Sequence, residues 1–496
     1  TASQSTSDAL ESLSEGPSAL VWTLTFVASI SGFLFGYDTG YISSVLVSIG
    51  TDLGGVALTI KQREYVSSAT SLGALVASLF AGVLADVIGR KYAVMFCDTL
   101  FIAGAALQYT TTSFGGMVAG RLVMGLGVGV GSLCAPLYIS ELSPSKFRGR
   151  LVTVNCLAIT GGQLAAYAVG AVATGGSGGA GAGYGWRTIV LLSLAPCLVQ
   201  FFSILFLPDT PRYLIMKDRY DDAVTVLKRI HPLASDALIH MNVDELQQLN
   251  MLWSKDDNVW CRLSHSWRDL FLVPSNKRSL VIACGLQAIQ QFVGFNALMY
   301  FSSSIFEMVG FKNSTLVSCF IAGTNFATTV VALVIIDRVG RRRILLYSIP
   351  LLLLAQVSCA LAFANIDVDV QTHLQPSPNP WRYLLLISLI LFVCFYSIGL
   401  GNVPWQQSEL FPQKVRGLGS SLSTATNWFG SMLLSFCFLS LMDTISPSLT
   451  FLLFSFNTLL AFIFVYRLYP ELSGLQLEDI QALLSDGYNV AKSMQL

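Results

Sequence analysis

The chain has 496 residues, 53% of them hydrophobic and 12% charged, with a mean hydropathy of +0.62 and a formal net charge of zero. Soluble domains carry about 25% charged residues, so a soluble globular fold is excluded, and the zero balance leaves no broad basic surface for nucleic acid. Stretches of roughly 20 apolar residues, the length that crosses a bilayer core, recur between short charged clumps, which predicts an all-α polytopic membrane protein.

Residues 1–19 read as a polar, acidic tail without the basic start of a cleavable signal. Six spans follow at 20–46, 65–85, 92–111, 115–138, 152–173 and 187–207, giving an N-terminal six-helix bundle over 20–207. The first carries a lone carboxylate, Asp38, within GFLFGYDTGYISSV. An ionised group at mid-membrane costs about 3 kcal/mol by insertion scales. Arg121, at the start of GRLVMGLGVG in the fourth span, is the basic residue that pairing would use to lower the cost of both. The fifth span offers Gln163 after Gly161 and Gly162.

A polar segment, 208–278, divides six spans from six. Its DRYDDAVTVLKRI and DALIHMNVDELQQLNML carry apolar residues at helical spacing, which predicts amphipathic helices on the membrane surface. The remaining spans fall at 279–308, 315–336, 343–364, 382–411, 418–441 and 447–468, a C-terminal bundle over 279–468 followed by a tail, 469–496. Span seven sets Gln287, Gln290 and Gln291 at i, i+3 and i+4 on one helical face. Gly294 and Asn296 follow, and a glycine amid polar residues predicts a local break. Asn325 lies in span eight. In span ten Asn402 and Trp405 flank Pro404, which removes a backbone donor and breaks the helix.

The halves repeat. SELSPSKFRG at 140–149 matches SELFPQKVRG at 408–417 in 7 of 10 positions, and DVIGRK at 86–91 recurs as DRVGRR at 337–342. Two similar six-span bundles with a pathway between them describe a transporter that rocks. The repeated loops bring Asp86, Arg90, Glu141 and Arg148, and again Asp337, Arg341, Glu409 and Arg416, to one depth, where ion pairs could latch one face and release it. Of the 29 Lys and Arg, 23 fall on the side of both termini and five (Lys61, Arg63, Arg187, Lys312, Arg382) on the other, which predicts cytosolic termini. The sequon Asn313-Ser314-Thr315 then faces outside as a candidate glycosylation site. The ten Cys show neither a disulfide framework nor metal-ligand spacing. No metal site, cofactor motif or catalytic constellation is recognised.

GRLVMGLGVG, PLYISELSPSKFRGRL, PDTPRYL, QQFVGFNALMYFS, DRVGRRR and NVPWQQSELFP together resemble the sugar porter branch of the major facilitator superfamily, over essentially the whole chain. FGYDTGYISS, ITGGQLAAY, PDTPRYLIMK, GNVPWQQSELFP and YPELSGLQLED are similar to fungal proton-coupled myo-inositol transporters. The resemblance implies a plasma-membrane carrier that imports a neutral polyol with H+; a monomer suffices, because the pathway lies between halves of one chain, and no cofactor is expected. It aligns Gln163, Gln290, Gln291, Asn296, Asn325 and Trp405 with sugar contacts, and Asp38 with the proton-coupling acid. Many sugar porters have Pro where this chain has Asn402, a departure that favours a cyclitol over a pyranose. A hexose/H+ symporter and a transporter-like nutrient sensor are the alternatives.

Overall fold

The computed structural model describes residues 16–173, 185–253, 259–311, 313–366, 379–472 and 477–493. It is helical throughout the described residues, and twelve helical segments are long and apolar enough to cross a membrane. In chain order the first six are α1 (Ala19–Ser48), α2 (Ile60–Ile88), α3 (Arg90–Thr110), α4 (Phe114–Leu142), α5 (Ser145–Ala173) and the pair α6 (Gly185–Leu192) and α7 (Leu194–Ile204). Polar caps set where they begin. Ser18 accepts from the Val21 N–H at 3.5 Å, and Thr59 with Gln62 forms a reciprocal capping box that starts α2 five residues before the predicted span.

The linker folds as α8 (Pro211–Met216), α9 (Tyr220–Ile230), α10 (Asp236–Trp253) and α11 (Val259–Leu272). The two helices anticipated from periodicity are α9 and α10. In α9, Asp221 and Asp222 open the helix and Lys228 and Arg229 close it, complementing its dipole, while Ala223, Val226, Leu227 and Ile230 are buried.

The second half comprises α12 (Pro274–Phe292), α13 (Phe295–Met308), α14 (Ser314–Val339), α15 (Arg341–Ala364), α16 (Trp381–Ile398), a 3-10 turn over Val403–Leu410, α17 (Gln413–Thr444) and α18 (Pro447–Leu468). Two short helices follow, α19 (Leu477–Ser485) and α20 (Val490–Ser493). The seventh span is thus two helices meeting at Gly294, whose φ of 86° lies in the left-handed region. The tenth ends at Ile398, well before the predicted 411, because Pro404 and the preceding glycines divert the chain into the 3-10 turn.

The halves are related as the sequence repeat predicts, and the structure adds a third repeated device. Gly89 and Gly340 both turn at φ 95° between successive spans. After each turn a carboxylate from the end of that half's last span caps the next helix. Asp209 accepts from the Arg90 N–H at 3.2 Å, and Glu471 accepts from the Arg341 and Arg342 N–H groups at 2.9 and 3.1 Å. Within each half, small residues let helices approach closely; a Cβ on Gly36 of α1 would lie 1.8 Å from the Ile159 carbonyl oxygen of α5. Between the halves three seams form: α2 with α17, α5 with α14, and α1 with α13.

Candidate functional site

Where the halves face each other, a cavity is lined from the first by Phe35, Thr160 and Gln163, and from the second by Gln290, Gln291, Asn296, Asn325, Tyr396 and Asn402 among others. No charged side chain is among the described residues of its wall. Asn325 donates to Gln163 Oε1 at 2.8 Å across the α5–α14 seam, and Ser397 Oγ donates to Asn325 Oδ1 at 2.5 Å. Asn402 donates to the Ser397 carbonyl at 2.6 Å, satisfying the frayed end of α16. Gln290 donates to the Leu400 carbonyl at 2.9 Å, so the broken tenth span is held by the seventh. Asn296, just beyond the Gly294 break, donates to Gln291 Oε1 at 2.8 Å. Phe295 and Tyr396 stack at 3.9 Å between ring centres, forming an apolar face beside these amides.

Among the described residues, Gln163 Nε2 and the side-chain oxygens of Asn296 and Asn402 have no protein partner. They are donors and acceptors open to a bound hydroxyl. The Trp405 side chain lies outside the described residues.

Gln287 departs from expectation. It is fully buried and away from the cavity wall, donating to Pro404 O at 3.0 Å and to Gln407 Oε1 at 2.9 Å. The i, i+3, i+4 spacing places three glutamines on one face, but Gln287 is a turn further from the Gly294 break, and only Gln290 and Gln291 line the cavity. Behind them is Asn427 of α17, which the sequence reading missed. Its amide donates to Gln287 Oε1 at 2.6 Å and Gln290 Oε1 at 2.7 Å, and its oxygen accepts from Gln291 at 3.1 Å.

Asp38 and Arg121 meet. Arg121 Nη1 donates to Asp38 Oδ1 and, at 3.0 Å, to the Tyr41 hydroxyl, while its Nε donates to the Val66 carbonyl at 3.3 Å. Both ions are buried, at 0% and 3% exposure, one helical turn beyond the cavity residue Phe35. Tyr41 passes the chain of bonds on, donating to Gln108 Oε1 at 2.9 Å. All of these groups belong to the first half. Tyr300 of α13 is a second-half group within electrostatic reach of the pair. Asp98 of α3 was also missed: it is fully buried, and neither carboxylate oxygen has a hydrogen bond among the described residues.

On the face that carries the termini, Arg90 pairs with Glu141 at 2.9 Å and Asp86 at 3.0 Å. These bonds tie the ends of α2, α3 and α4 inside one half. Burial raises the nearby Asp209 carboxyl above its ordinary range, while bonds from the Thr210, Lys91 and Arg90 N–H groups oppose the shift. In the second half, Arg416 Nε donates to the Phe411 carbonyl at 3.3 Å and the Arg341 N–H bonds Glu471. The side chains of Arg148, Asp337 and Glu409 lie outside the described residues. On the opposite face the seams are closed. Ser43 of α1 lies 3.2 Å from Ser302 and accepts from the Ser303 N–H at 2.9 Å, and Tyr167 bonds Ser302 at 2.9 Å and the Met299 carbonyl.

A family model described as "Sugar (and other) transporter" matches residues 24–484. The chain is 49% identical over 486 residues to Myo-inositol transporter 1 of Saccharomyces cerevisiae, covering 97% of this chain and 82% of that one. It is 44% identical over 488 residues to Myo-inositol transporter 1 of Candida albicans, with coverage of 97% and 86%. Among solved structures, the proton:xylose symporter XylE bound to 6-bromo-6-deoxy-D-glucose superposes with a TM-score of 0.77 at 24% identity, over 94% of this chain and 99% of that one. A likeness at that identity gives the fold, and the family match and close relatives give the membership. The chain belongs to the sugar transporter family, a multi-pass membrane carrier built on the major facilitator fold.

Proposed function

We propose that this carrier imports myo-inositol together with protons by alternating access, at the plasma membrane, as a monomer with cytosolic termini. The observation that carries the reading is a buried Asp38–Arg121 pair one turn from a cavity walled by amides, with no charge among its described lining residues. Uncharged donors and acceptors match the hydroxyls of a polyol with little loss on desolvation, whereas fixed charges would select ions. An analogue with one hydroxyl displaced strands a buried partner and loses about 1–3 kcal/mol. The names of the curated relatives favour myo-inositol among polyols.

The proton enters at Asp38. Protonation releases Arg121 to Tyr41 and the Val66 carbonyl, which already hold it, and the neutral carboxyl moves with its half as the cavity changes sides. A potential of 100 mV supplies about 2.3 kcal/mol per charge and one pH unit about 1.4 kcal/mol. Their sum supports accumulation on the order of several hundredfold.

In proteoliposomes, an imposed acid gradient is expected to drive uphill myo-inositol uptake. Asp38→Asn is expected to keep counterflow but lose the pH-driven accumulation. Full uphill uptake by that variant refutes the coupling role. Competition by glucose as strong as that by inositol would transfer the reading to a hexose symporter.

A further inference from the structure

The face opposite the termini is closed by charge as well as by serine pairs. Glu64, in the second turn of α2, is fully buried, and both its oxygens cross to the other half. Oε1 accepts from the Ser440 N–H of α17 at 2.7 Å, and Oε2 accepts from the Ser440 hydroxyl at 2.7 Å. Lys61 pairs with Oε2 at 3.0 Å while remaining 56% exposed, and its ammonium lies 5.5 Å from the centre of the Phe436 ring. Tyr65 meets the same ring edge-on at 5.4 Å. Arg63 is within electrostatic reach of Glu307 at the end of α13. One stretch of α2 thus grips α17 and lies within electrostatic reach of α13.

Further along the α2–α17 seam the contacts described are uncharged. Ser71 and Ser431 pair at 3.0 Å, and Gly82 lies against Ser421. A carboxylate removed from water is costly unless it is partnered. Glu64 takes two of its three bonds from the opposite half and the third from Lys61 of its own helix, so its burial is fully compensated only while the halves touch there. When they part, the carboxylate returns to water beside the exposed Lys61. That makes it a two-state element whose partners differ between the open and closed arrangements.

We infer that Glu64 is a gate residue, a positioning group that sets how much of the carrier is closed on the face opposite the termini. This rests on the alternating-access reading above. It is independent of the Asp38 coupling role and of the polyol's identity.

The test uses the full chain in proteoliposomes with an impermeant maleimide on both sides and Ser43→Cys as reporter, the native cysteines giving the background. Ser43 is fully buried in the closed seam. Glu64→Ala is expected to raise its labelling rate about tenfold, the equivalent of one lost charge-assisted hydrogen bond. Glu64→Gln, which keeps an acceptor, should fall between, and Ser440→Ala should raise the rate less than Glu64→Ala and add nothing to it. An unchanged rate in well-folded Glu64→Ala overturns the gate. If that variant does not fold, Ser440→Ala decides alone: a rise supports the gate, and no rise overturns it. Counterflow by the parent chain separates the two readings. With counterflow intact, a failed labelling effect removes only the gate; absent counterflow removes the transport mechanism instead.

Discussion

Asn427 satisfies three glutamines with one amide, so its loss is felt beyond its own volume. Asn427→Ala leaves the carbonyls of Gln287 and Gln290 and the amide of Gln291 without that partner, each costing about 1–3 kcal/mol if water does not replace it. The expected result is a rise of about tenfold or more in the half-saturating substrate concentration, measured by counterflow, with normal protein yield. The glutamines it serves were legible because their helical spacing is a pattern. Asn427 was not, since a single amide in an apolar span has no period and gains meaning only once α17 packs on α12. Asp98 is as isolated in its span as Asp38, but the sequence offers no facing cation to mark it, and its carboxylate has no hydrogen bond among the described residues. Asp38 and Arg121 were legible because each is an isolated ion whose cost demands a partner.

At the scale of elements, the interrupted seventh helix is the decisive feature. Gly294 sits at φ 86°, and an added Cβ would lie 2.7 Å from the Phe454 ring. Gly294→Ala therefore meets a backbone penalty of about 1–2 kcal/mol as well as a clash. A lower melting temperature, by several degrees in detergent, is expected together with slower counterflow. The break itself could be read from a glycine among amides. The early end of α16 could be read only in part: Pro404 announces a break, but the position follows from Asn402 bonding back to Ser397 and Gln290 holding Leu400. Helices α8, α11 and α19 were not read at all. α8 and α19 are short, and docking holds helices of this kind, as when Arg278 donates to the Leu484 and Ser485 carbonyls at the end of α19, Gln481 of that helix donates to Leu410, and Ser266 of α11 donates to the Lys414 carbonyl.

For the whole molecule, hydropathy and the loop repeat were enough to give twelve spans in two related bundles. They say nothing of which face is closed, because the contacts that close it join residues far apart in sequence, Ser43 with Ser302 and Glu64 with Ser440. The closed seam is directly testable. Ser43→Cys with Ser302→Cys places two thiols where the hydroxyls are now 3.2 Å apart. Mild oxidation is expected to cross-link them and abolish counterflow, and reductant to restore it; undiminished exchange by the oxidised pair would mean that this seam need not open. The distribution of polar groups has a further consequence. The buried ion pair belongs wholly to one half, while every cavity amide described except Gln163 belongs to the other. Occupancy of the amides of the second half can inform the pair through the interface between the halves, where Tyr300 overlooks the pair and Phe35 and Gln163 complete the cavity wall. Slippage, solute passing without its ion or the ion without solute, should therefore arise first from lesions in that interface, with both binding sites intact.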